Sequence, residues 1–374
     1  MLDRKNNVLA TPNLLRLVNR NTIVSMLEQL DITSRAELSM LTGISPPTVS
    51  AIVKELFDEG WLHDAGDGVS QGGKPPKLIK LNPNARYIGA IQMNQDKIRI
   101  RITNLVGTVF AEDQFKPVQY DGPYVCMEAA KRLVDLIAAQ QIDSDLILGV
   151  GIAVPGVVNN QGFVSNAPEF GWELEPIKSH LSKHLPYPVI VENDVKLAAI
   201  GDAWKRKSLT GVSVYVHLDR GVGAGILIDG KLYRGANFAA GEIGNLIVDP
   251  VQIPSTLQMA ERRFGFFEAQ YGLTALNLTD DNQNAGNQDR ENWIIKHFAY
   301  AVVNVVALLD PDTIVFGGMM TARIDNFLGR LLNALSGLIT INPKMLITPL
   351  GDDASLFGVT RAVVENRVQV AWTV

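Results

Sequence analysis

Apolar positions recur with helical spacing through the first sixty residues and with strand spacing through much of the remaining chain. In the N-terminal part this spacing predicts three amphipathic helices. The first covers about 13–30, the second follows a capping box that begins at Thr33 or Ser34, and the third begins after a cap at Ser45. Gly43, between the second and third helices, is typical of a left-handed helix end.

Two short runs of strand character follow the third helix, at 61–63 and 77–81, with a glycine-rich polar loop between them. Three helices followed by such a hairpin resemble a winged helix-turn-helix, a DNA-binding module that we assign to the all-α class. Hydroxyl side chains at a helix start can meet base edges, and lysines can contact phosphates. A protein-interaction module with a solvated basic linker is the alternative. The predicted DNA-binding residues are Ser45, Pro47, Thr48, Ser50, Lys54, Lys74 and Lys77.

Beyond this module, strands and helices alternate in two successive sets, which predicts an α/β body of two lobes with a cleft between them. We predict a DNA-binding domain at 1–86 and a body at 87–374. Its lobes would cover about 87–195 plus the C-terminal helix, and about 196–355. Strands are expected at 88–93, 98–103, 108–115, 146–154, 188–192, 212–218, 226–228, 231–233, 313–318 and 345–348, and helices at 128–140, from 195, at 294–309 and at 355–365. The polar segment 277–291 is expected to be a mobile loop, and ordering on dimerisation or ligand binding is the alternative.

Composition narrows the class of protein. The 374 residues suffice for several cores, and the sequence has no signal-peptide pattern and no apolar run of transmembrane length. We therefore expect a cytoplasmic protein without a membrane partner. The single cysteine, Cys126, excludes an internal disulfide and a cysteine-cluster metal site. Most of the net charge of −5 belongs to the body, since residues 1–86 carry 10 Lys and Arg against 9 Asp and Glu.

A glycine-rich hairpin at 218–235 and the segment AAGEIG after it are the most distinctive chemistry-bearing stretch. Glu242 in that segment would be either an N-terminal helix residue or a ligand contact. Asn193 and Asp194 end a predicted strand, at the edge where α/β folds bind ligands. Carboxylates suit a polyhydroxylated ligand because each can accept hydrogen bonds from two neighbouring hydroxyls.

Seven segments in order resemble the ROK family of sugar kinases and sugar-responsive repressors. They are GVGIAVPG, SNAPEFGW, VENDVKLAAIGD, RGVGAGILIDGKLYRG, AAGEIG, DPDTIVFGG and LGDDASLFGVTRAVVE. The resemblance covers nearly the whole chain and implies an actin/hexokinase-like body with an N-terminal winged helix-turn-helix. It implies a sugar site made of Asn166, Asn193, Asp194, Glu242, Asn245 and Glu268, where Asn245 replaces the family histidine. A helix cap or a structural carboxylate is the alternative for Asp194 and Glu242.

Departures from the family pattern argue against an enzyme. Ile91 stands where the first phosphate loop of a kinase has aspartate, and Met93 stands where it has glycine. Ile91 cannot handle magnesium or phosphate charge, and Met93 adds bulk where the backbone must approach the phosphates. We therefore expect no ATP or magnesium cofactor and no catalytic role for Asp194, the family base position. The family zinc motif is degraded to Met259, Glu261, Arg262 and Phe266, ending at Glu268, so we expect no zinc.

The sequence therefore predicts a repressor of a carbohydrate-utilisation operon that binds pseudo-palindromic operator DNA as a homodimer and is released by sugar. Pairing of dimers into tetramers stays open. Xylose is favoured as the effector, and glucose-type and N-acetylated sugars stay open. One rival is a sugar kinase with an added DNA-binding domain. Another is a regulator controlled by a protein partner instead of sugar.

Overall fold

The computed structural model describes residues 12–69, 75–249, 265–273 and 284–370. The N-terminal module contains helices α1 (Pro12–Gln29), α2 (Arg35–Thr42) and α3 (Pro46–Asp58). Its strands β1 (Thr33–Ser34), β2 (Leu62–Asp67) and β3 (Lys77–Leu81) form an antiparallel sheet in the order β1-β3-β2. The predicted hairpin of β2 and β3 is confirmed. The module is not all-α, because this hairpin and β1 together form a three-stranded sheet. Trp61 lies before β2, which is longer than predicted.

Local capping explains where the second helix begins and ends. The Ser34 hydroxyl accepts a hydrogen bond from the backbone N–H of Glu37 at 3.2 Å, and Gly43 ends α2 with a φ of 70°. Glu37 also accepts from the Thr33 hydroxyl at 2.9 Å. Ser45 is the N-cap residue of α3, as predicted, but its hydroxyl bonds to the Thr48 hydroxyl at 2.8 Å and not to a backbone N–H.

The body contains two five-stranded sheets, which confirms the predicted two-lobed α/β architecture. The first has the order β10-β7-β4-β5-β6 and the second β13-β12-β11-β14-β15. The first uses β4 (Tyr87–Met93), β5 (Ile98–Asn104), β6 (Val109–Phe115), β7 (Ile147–Val154) and β10 (Val189–Asn193). The second uses β11 (Val212–Leu218), β12 (Val222–Ile228), β13 (Lys231–Tyr233), β14 (Thr313–Gly317) and β15 (Lys344–Ile347); β8 (Val157–Val158) pairs with β9 (Val164–Ser165).

Helices cover and connect the two sheets. They are α4 (Gly122–Ala139), α5 (Ile177–Ser182), α6 (Asp194–Lys205), α7 (Phe266–Tyr271), α8 (Asn284–Leu309), α9 (Met320–Arg323), α10 (Phe327–Leu335) and α11 (Ala354–Val370). The prediction of a loop at 277–291 is wrong from residue 284 onward, where α8 has already begun, and 274–283 lie outside the described residues. A polar first stretch is compatible with a helix whose apolar residues begin only at Trp293.

Over Gln288–Leu309 the helix α8 is long and apolar enough to cross a membrane, judged by length and composition only. Its side chains Ile294, Phe298 and Val302 are buried in the core of the second lobe. The apolar composition of this helix is thus explained by packing within the body.

Helices α6 and α11 cross at very short distance between the lobes. A Cβ atom at Gly201 would overlap the carbonyl oxygen of Ala354, and one at Gly358 would overlap that of Leu197. The two glycines let the backbones touch, so the helix that begins beside the predicted site is packed directly against the closing helix.

The N-terminal module shares a core with the body. Ile23 and Leu27 of α1 belong to the same buried cluster as Ile88 of β4 and Val363 and Val364 of α11. Because these side chains are removed from water together, the module is docked on the first lobe and the closing helix.

Candidate functional site

Close backbone contacts fix the glycine-rich strand beside α6. A Cβ atom at Gly225 would lie 3.0 Å from the carbonyl oxygen of Val195 and 2.5 Å from the side chain of Ala199. Gly241, with a φ of 90°, is placed so that any side chain would overlap the carbonyl oxygen of Ala224. These glycines bring β12 and the AAGEIG segment against the start of α6, which assembles the predicted site.

Asn193 ends β10 and caps α6. Its side-chain oxygen accepts from the backbone N–H of Lys196 at 3.0 Å, and its amide donates to the carbonyl oxygen of Gly156 at 2.9 Å. Both ends of the side chain are thus engaged within the protein. Asn193 thus positions the start of α6 and the neighbouring Asp194. A ligand contact would have to use the remaining hydrogen-bonding capacity of the Asn193 side chain.

Asp194 is the first residue of α6, and its carboxylate accepts from the backbone N–H of Val195 at 2.8 Å. Burial raises the pKa of Asp194 to about 7; the Val195 hydrogen bond opposes this shift, whereas the charges of Glu169 and Glu242 add to it. Asp194 is therefore a desolvated acceptor surrounded by other acids.

Glu242 lies before the 3-10 turn Ile243–Asn245, and its side chain does not cap that turn. The residue is accessible from the cleft, and its carboxylate makes no hydrogen bond or ion pair with any residue that the structure describes. Desolvation by the surrounding protein raises the pKa of Glu242, Lys196 lowers it and Glu268 raises it again. Its place directly before this turn fits an N-terminal helix position, and its role as a ligand contact stays a prediction.

Glu268 has a different environment from Glu242. Its carboxylate accepts from the backbone N–H of Val222 at 3.0 Å and from that of Gly265 at 2.7 Å. It joins the start of α7 to the start of β12. The predicted role as a sugar contact stays a prediction, and the observed role is to hold these two backbones together.

The two remaining predicted contacts are asparagines in loops. Asn166 is exposed with a φ of 53°, and it follows Ser165 beside Gly156, the residue that accepts from Asn193. It therefore lies on the first-lobe side of the same region. Asn245 ends the 3-10 turn after Glu242 and is exposed on the second-lobe side.

Two charged residues near the site were missed by the sequence reasoning. Glu169, three residues after Asn166, acts electrostatically on Asp194. Lys196 is buried, with 1% of its surface exposed, and its Nζ donates to the carbonyl oxygen of Phe238. Both occur in segments that carried the family resemblance, so their charge within otherwise small or apolar surroundings was the available signal.

Strand β4 has no acidic residue at the position where a kinase of the family has the aspartate of its first phosphate loop. Ile91 and Met93 are fully buried in the core of the first lobe. Gln92, between them, points to the other face and donates to the Ser355 hydroxyl at 2.7 Å. After the strand, Asp96 pairs with Arg220 of the second lobe at 3.2 Å. This edge of the cleft is therefore bridged by protein side chains.

The predicted DNA-binding face is exposed on α3. Pro47, Ser50 and Lys54 are exposed, while Val49 and Val53 face the core. Lys77 pairs with Asp67 across the hairpin at 2.9 Å, so a phosphate would have to compete with that carboxylate. Lys74 lies outside the described residues.

Part of the predicted zinc-motif remnant, Met259, Glu261 and Arg262, also lies outside the described residues. Within the described part of the chain no cluster of His, Cys, Asp or Glu could hold a metal ion. Phe267 of α7 packs on Tyr271, with ring centroids 4.8 Å apart, and on Phe298 at 5.2 Å. Aromatic packing thus stabilises this helix.

The fold and site define a two-lobed α/β protein with a carboxylate-lined cleft and an N-terminal winged-helix module. Residues 88–260 match the model of the ROK family. Over its whole length the fold is similar to that of a ROK family transcriptional regulator described as a homologue of the E. coli MLC protein. That structure aligns with a TM-score of 0.78 and 18% identity over 96% of this chain and 98% of its own.

Two relatives of known name are similar in sequence. A xylose repressor from Caldicellulosiruptor bescii is 32% identical over 246 residues, or 63% of this chain. A glucokinase from Halalkalibacterium halodurans is 27% identical over 249 residues, which are 58% of this chain and 75% of the enzyme. The match to the repressor spans 60% of the repressor's length.

Proposed function

We propose that this protein is a sugar-responsive transcriptional repressor of a carbohydrate-utilisation operon. The observation that carries the proposal is the docking of a winged-helix module, with its α3 face exposed, on a two-lobed body whose cleft contains unpaired carboxylates. Operator DNA would be bound by a homodimer at a pseudo-palindromic site, with Ser45, Thr48 and Ser50 nearest the bases. The similarity to a xylose repressor supports this role.

In this proposal the sugar binds between the lobes, at Asp194 and Glu242. Glu268 and Asn193 would hold the surrounding backbone and contribute further contacts, with Asn166 and Asn245 at the rims of the two lobes. Linkage requires that the sugar prefer the form that binds DNA weakly. D-xylose is the first candidate, because the repressor relative is named for it.

The proposal does not include kinase activity, although the chain is also similar to a glucokinase. Ile91 and Met93 are buried apolar residues where a kinase needs a carboxylate and a glycine for magnesium and phosphate. We therefore expect neither ATP nor magnesium to be a cofactor, nor zinc to be bound. The same role places the protein in the cytoplasm, where operator DNA is found.

The proposal is tested by binding of the purified protein to a labelled DNA fragment that contains the promoter region of its own gene. Fluorescence anisotropy would be recorded with and without saturating D-xylose, D-glucose and N-acetyl-D-glucosamine. One sugar should weaken DNA binding at least tenfold. Unchanged affinity with every sugar would contradict the proposal, and ADP release in a coupled assay with ATP and the same sugars would favour a kinase.

A further inference from the structure

The segment that leads from β13 to Glu242, residues 234–241, is here called the strap, and it is fixed to the protein at both ends. At its start, Arg234 pairs with the buried Glu192 of β10 at 2.7 Å. At its end, the carbonyl oxygen of Gly241 accepts from a backbone N–H of β12 at 2.7 Å. Because Glu242 follows directly, the conformation of the strap determines where the Glu242 carboxylate lies.

The middle of the strap has an unfavourable backbone conformation. Phe238 has a φ of 61°, in the left-handed region that bulky side chains rarely adopt. Its backbone N–H donates to the carbonyl oxygen of Gly235 at 3.4 Å, which is a long and weak hydrogen bond. A residue under such strain keeps its conformation only when contacts from its surroundings hold it.

Lys196 of α6 makes such a contact with the strap. Its Nζ donates to the carbonyl oxygen of Phe238, and only 1% of the lysine surface is exposed. A lysine is rarely removed from water to this extent, because burial penalises its charged form. Burial accordingly lowers the pKa of Lys196, while the charges of Glu192 and Glu242 oppose this shift. A buried amine thus connects α6 to the strained residue of the strap.

Lys196 is itself fixed within the first turn of α6. Its backbone N–H donates to the side chain of the cap residue Asn193 at 3.0 Å. Its Cα lies so close to β12 that a Cβ atom at Gly225 would be 3.3 Å away. Asp194 begins the same turn. The side chain that holds the strap and the carboxylate at the first position of α6 are therefore carried by one well-packed turn of helix.

We propose that Lys196 is a positioning residue, which holds the strap in its strained conformation and thereby places Glu242 for ligand binding. The inference rests on the proposed sugar-sensing function and adds a residue on which the geometry of that site depends. Without the hydrogen bond from Lys196, Phe238 would relax to a negative φ and the end of the strap would shift. A ligand would then meet a displaced Glu242 carboxylate, and its affinity would fall.

The experiment is a double-mutant cycle on the full-length protein. Lys196→Met keeps the length of the side chain and removes its donor, whereas Phe238→Gly keeps the acceptor and makes a positive φ free of strain. Hydrogen exchange followed by mass spectrometry measures the protection of the strap, including the N–H of Ala240, which donates to the carbonyl oxygen of Arg234 at 3.0 Å. Isothermal titration calorimetry with D-xylose, D-glucose and N-acetyl-D-glucosamine measures binding.

Two variants are controls, and a third tests the strap without touching the lysine. Lys231→Met removes an exposed lysine from β13, just before the strap. Lys207→Gly relieves a positive φ of 54° in the turn that follows α6. Both should leave exchange of the strap and sugar binding unchanged. Phe238→Pro cannot adopt a positive φ, so it should disrupt the strap with Lys196 still in place.

Lys196→Met should speed exchange of the strap at least tenfold and weaken the bound sugar at least fivefold, and Phe238→Pro should do the same. In the Phe238→Gly background a positive φ no longer needs the lysine, so the loss of affinity on Lys196→Met should shrink to about twofold.

An equal loss in both backgrounds would show that Lys196 acts on stability alone, and it would overturn the proposal. Unchanged exchange of the strap in folded Lys196→Met would overturn it as well. If the unchanged protein bound none of the three sugars, the proposed sugar sensing would fail, and the effect on affinity with it. Exchange of the strap would even then decide whether Lys196 holds it.

Discussion

Arg361 of the closing helix α11 is paired with Glu28 of α1 at 2.9 Å, and both side chains are largely buried. The same guanidinium pairs with Glu365 at 2.8 Å and lies over the ring of Trp204, near the end of α6, at 5.8 Å. Helix α6 begins at Asp194 and ends one residue after Trp204. One side chain thus contacts the N-terminal module and the helix that starts at the candidate site.

We expect Arg361→Gln to weaken communication between the cleft and the DNA-binding module. The substitution removes the charge that connects α1, α6 and α11, and it breaks the ion pair of the largely buried Glu28 carboxylate, which costs about 1–3 kcal/mol. The ratio of DNA-binding affinities without and with the inducing sugar should fall at least threefold. It is measured by the anisotropy titration described above, together with the melting temperature.

The control for this variant is Lys131→Gln, which removes a positive charge from the exposed face of α4. It should preserve both the melting temperature and the affinity ratio. If folded Arg361→Gln retained the full effect of sugar on DNA binding, coupling through this contact would be excluded.

Gly358→Ala should destabilise the protein, and Gly329→Ala should not. A Cβ atom at Gly358 would overlap the backbone of Leu197 at the crossing of α6 and α11, where neither helix can easily move away. At Gly329 the nearest atoms belong to the flexible Asn326 side chain, and alanine favours a helix by up to about 1 kcal/mol. The overpacking expected at Gly358 typically costs about 1–3 kcal/mol.

Urea unfolding of both variants provides the measurement. Equal midpoints for Gly358→Ala and the unchanged protein would mean that the helices separate without cost, and the short crossing would then have no role in stability.

Much of this fold could be predicted because its signals are local. Apolar periodicity, the capping residue Ser34 and the glycine at 43 define the first helices almost to the residue. The glycine-rich hairpin is equally local, since Asp229 and Gly230 both adopt positive φ in the turn between β12 and β13. The start of α8 was not predicted, because its first turns are polar and its apolar residues begin only at Trp293.

The site was predictable in its residues and less so in their roles. The resemblance identified Asn193 and Glu268, yet the structure shows the first capping α6 and the second bonded to two backbone N–H groups. These roles depend on contacts between segments that are distant in the chain. Glu169 acts electrostatically on Asp194 although the two residues lie in different segments of the chain, and no spacing rule encodes that relationship.

Asp194→Asn should stabilise the protein increasingly as pH rises. The pKa of Asp194 is about 7 in the folded state and 3.8 in its ordinary range, so the folded form binds more protons between these values. Stability contributed by this group is therefore lost as pH rises from about 4 to 7. Asparagine does not ionise, and its side-chain oxygen can still accept from Val195.

The difference in melting temperature between Asp194→Asn and the unchanged protein is expected to be small at pH 5 and roughly 2–5 °C larger at pH 8. The control is Asp135→Asn on the exposed face of α4, where the carboxylate makes no ion pair with a described residue. A difference that is the same at both pH values would show that Asp194 is ionised throughout, and desolvation would not be its main influence.

Lys54→Gln should weaken DNA binding without changing the response to sugar. Lys54 is exposed on the same face of α3 as Ser50 and makes no ion pair with a described residue, so its charge is available to a phosphate. Loss of one phosphate contact should reduce affinity about threefold to tenfold and lower the slope of log K against log salt by about 1. Anisotropy titrations at several potassium chloride concentrations measure both quantities. Lys183→Gln, on the exposed end of α5, is the matched control; an equal loss in that variant would place the DNA on the body and not on α3.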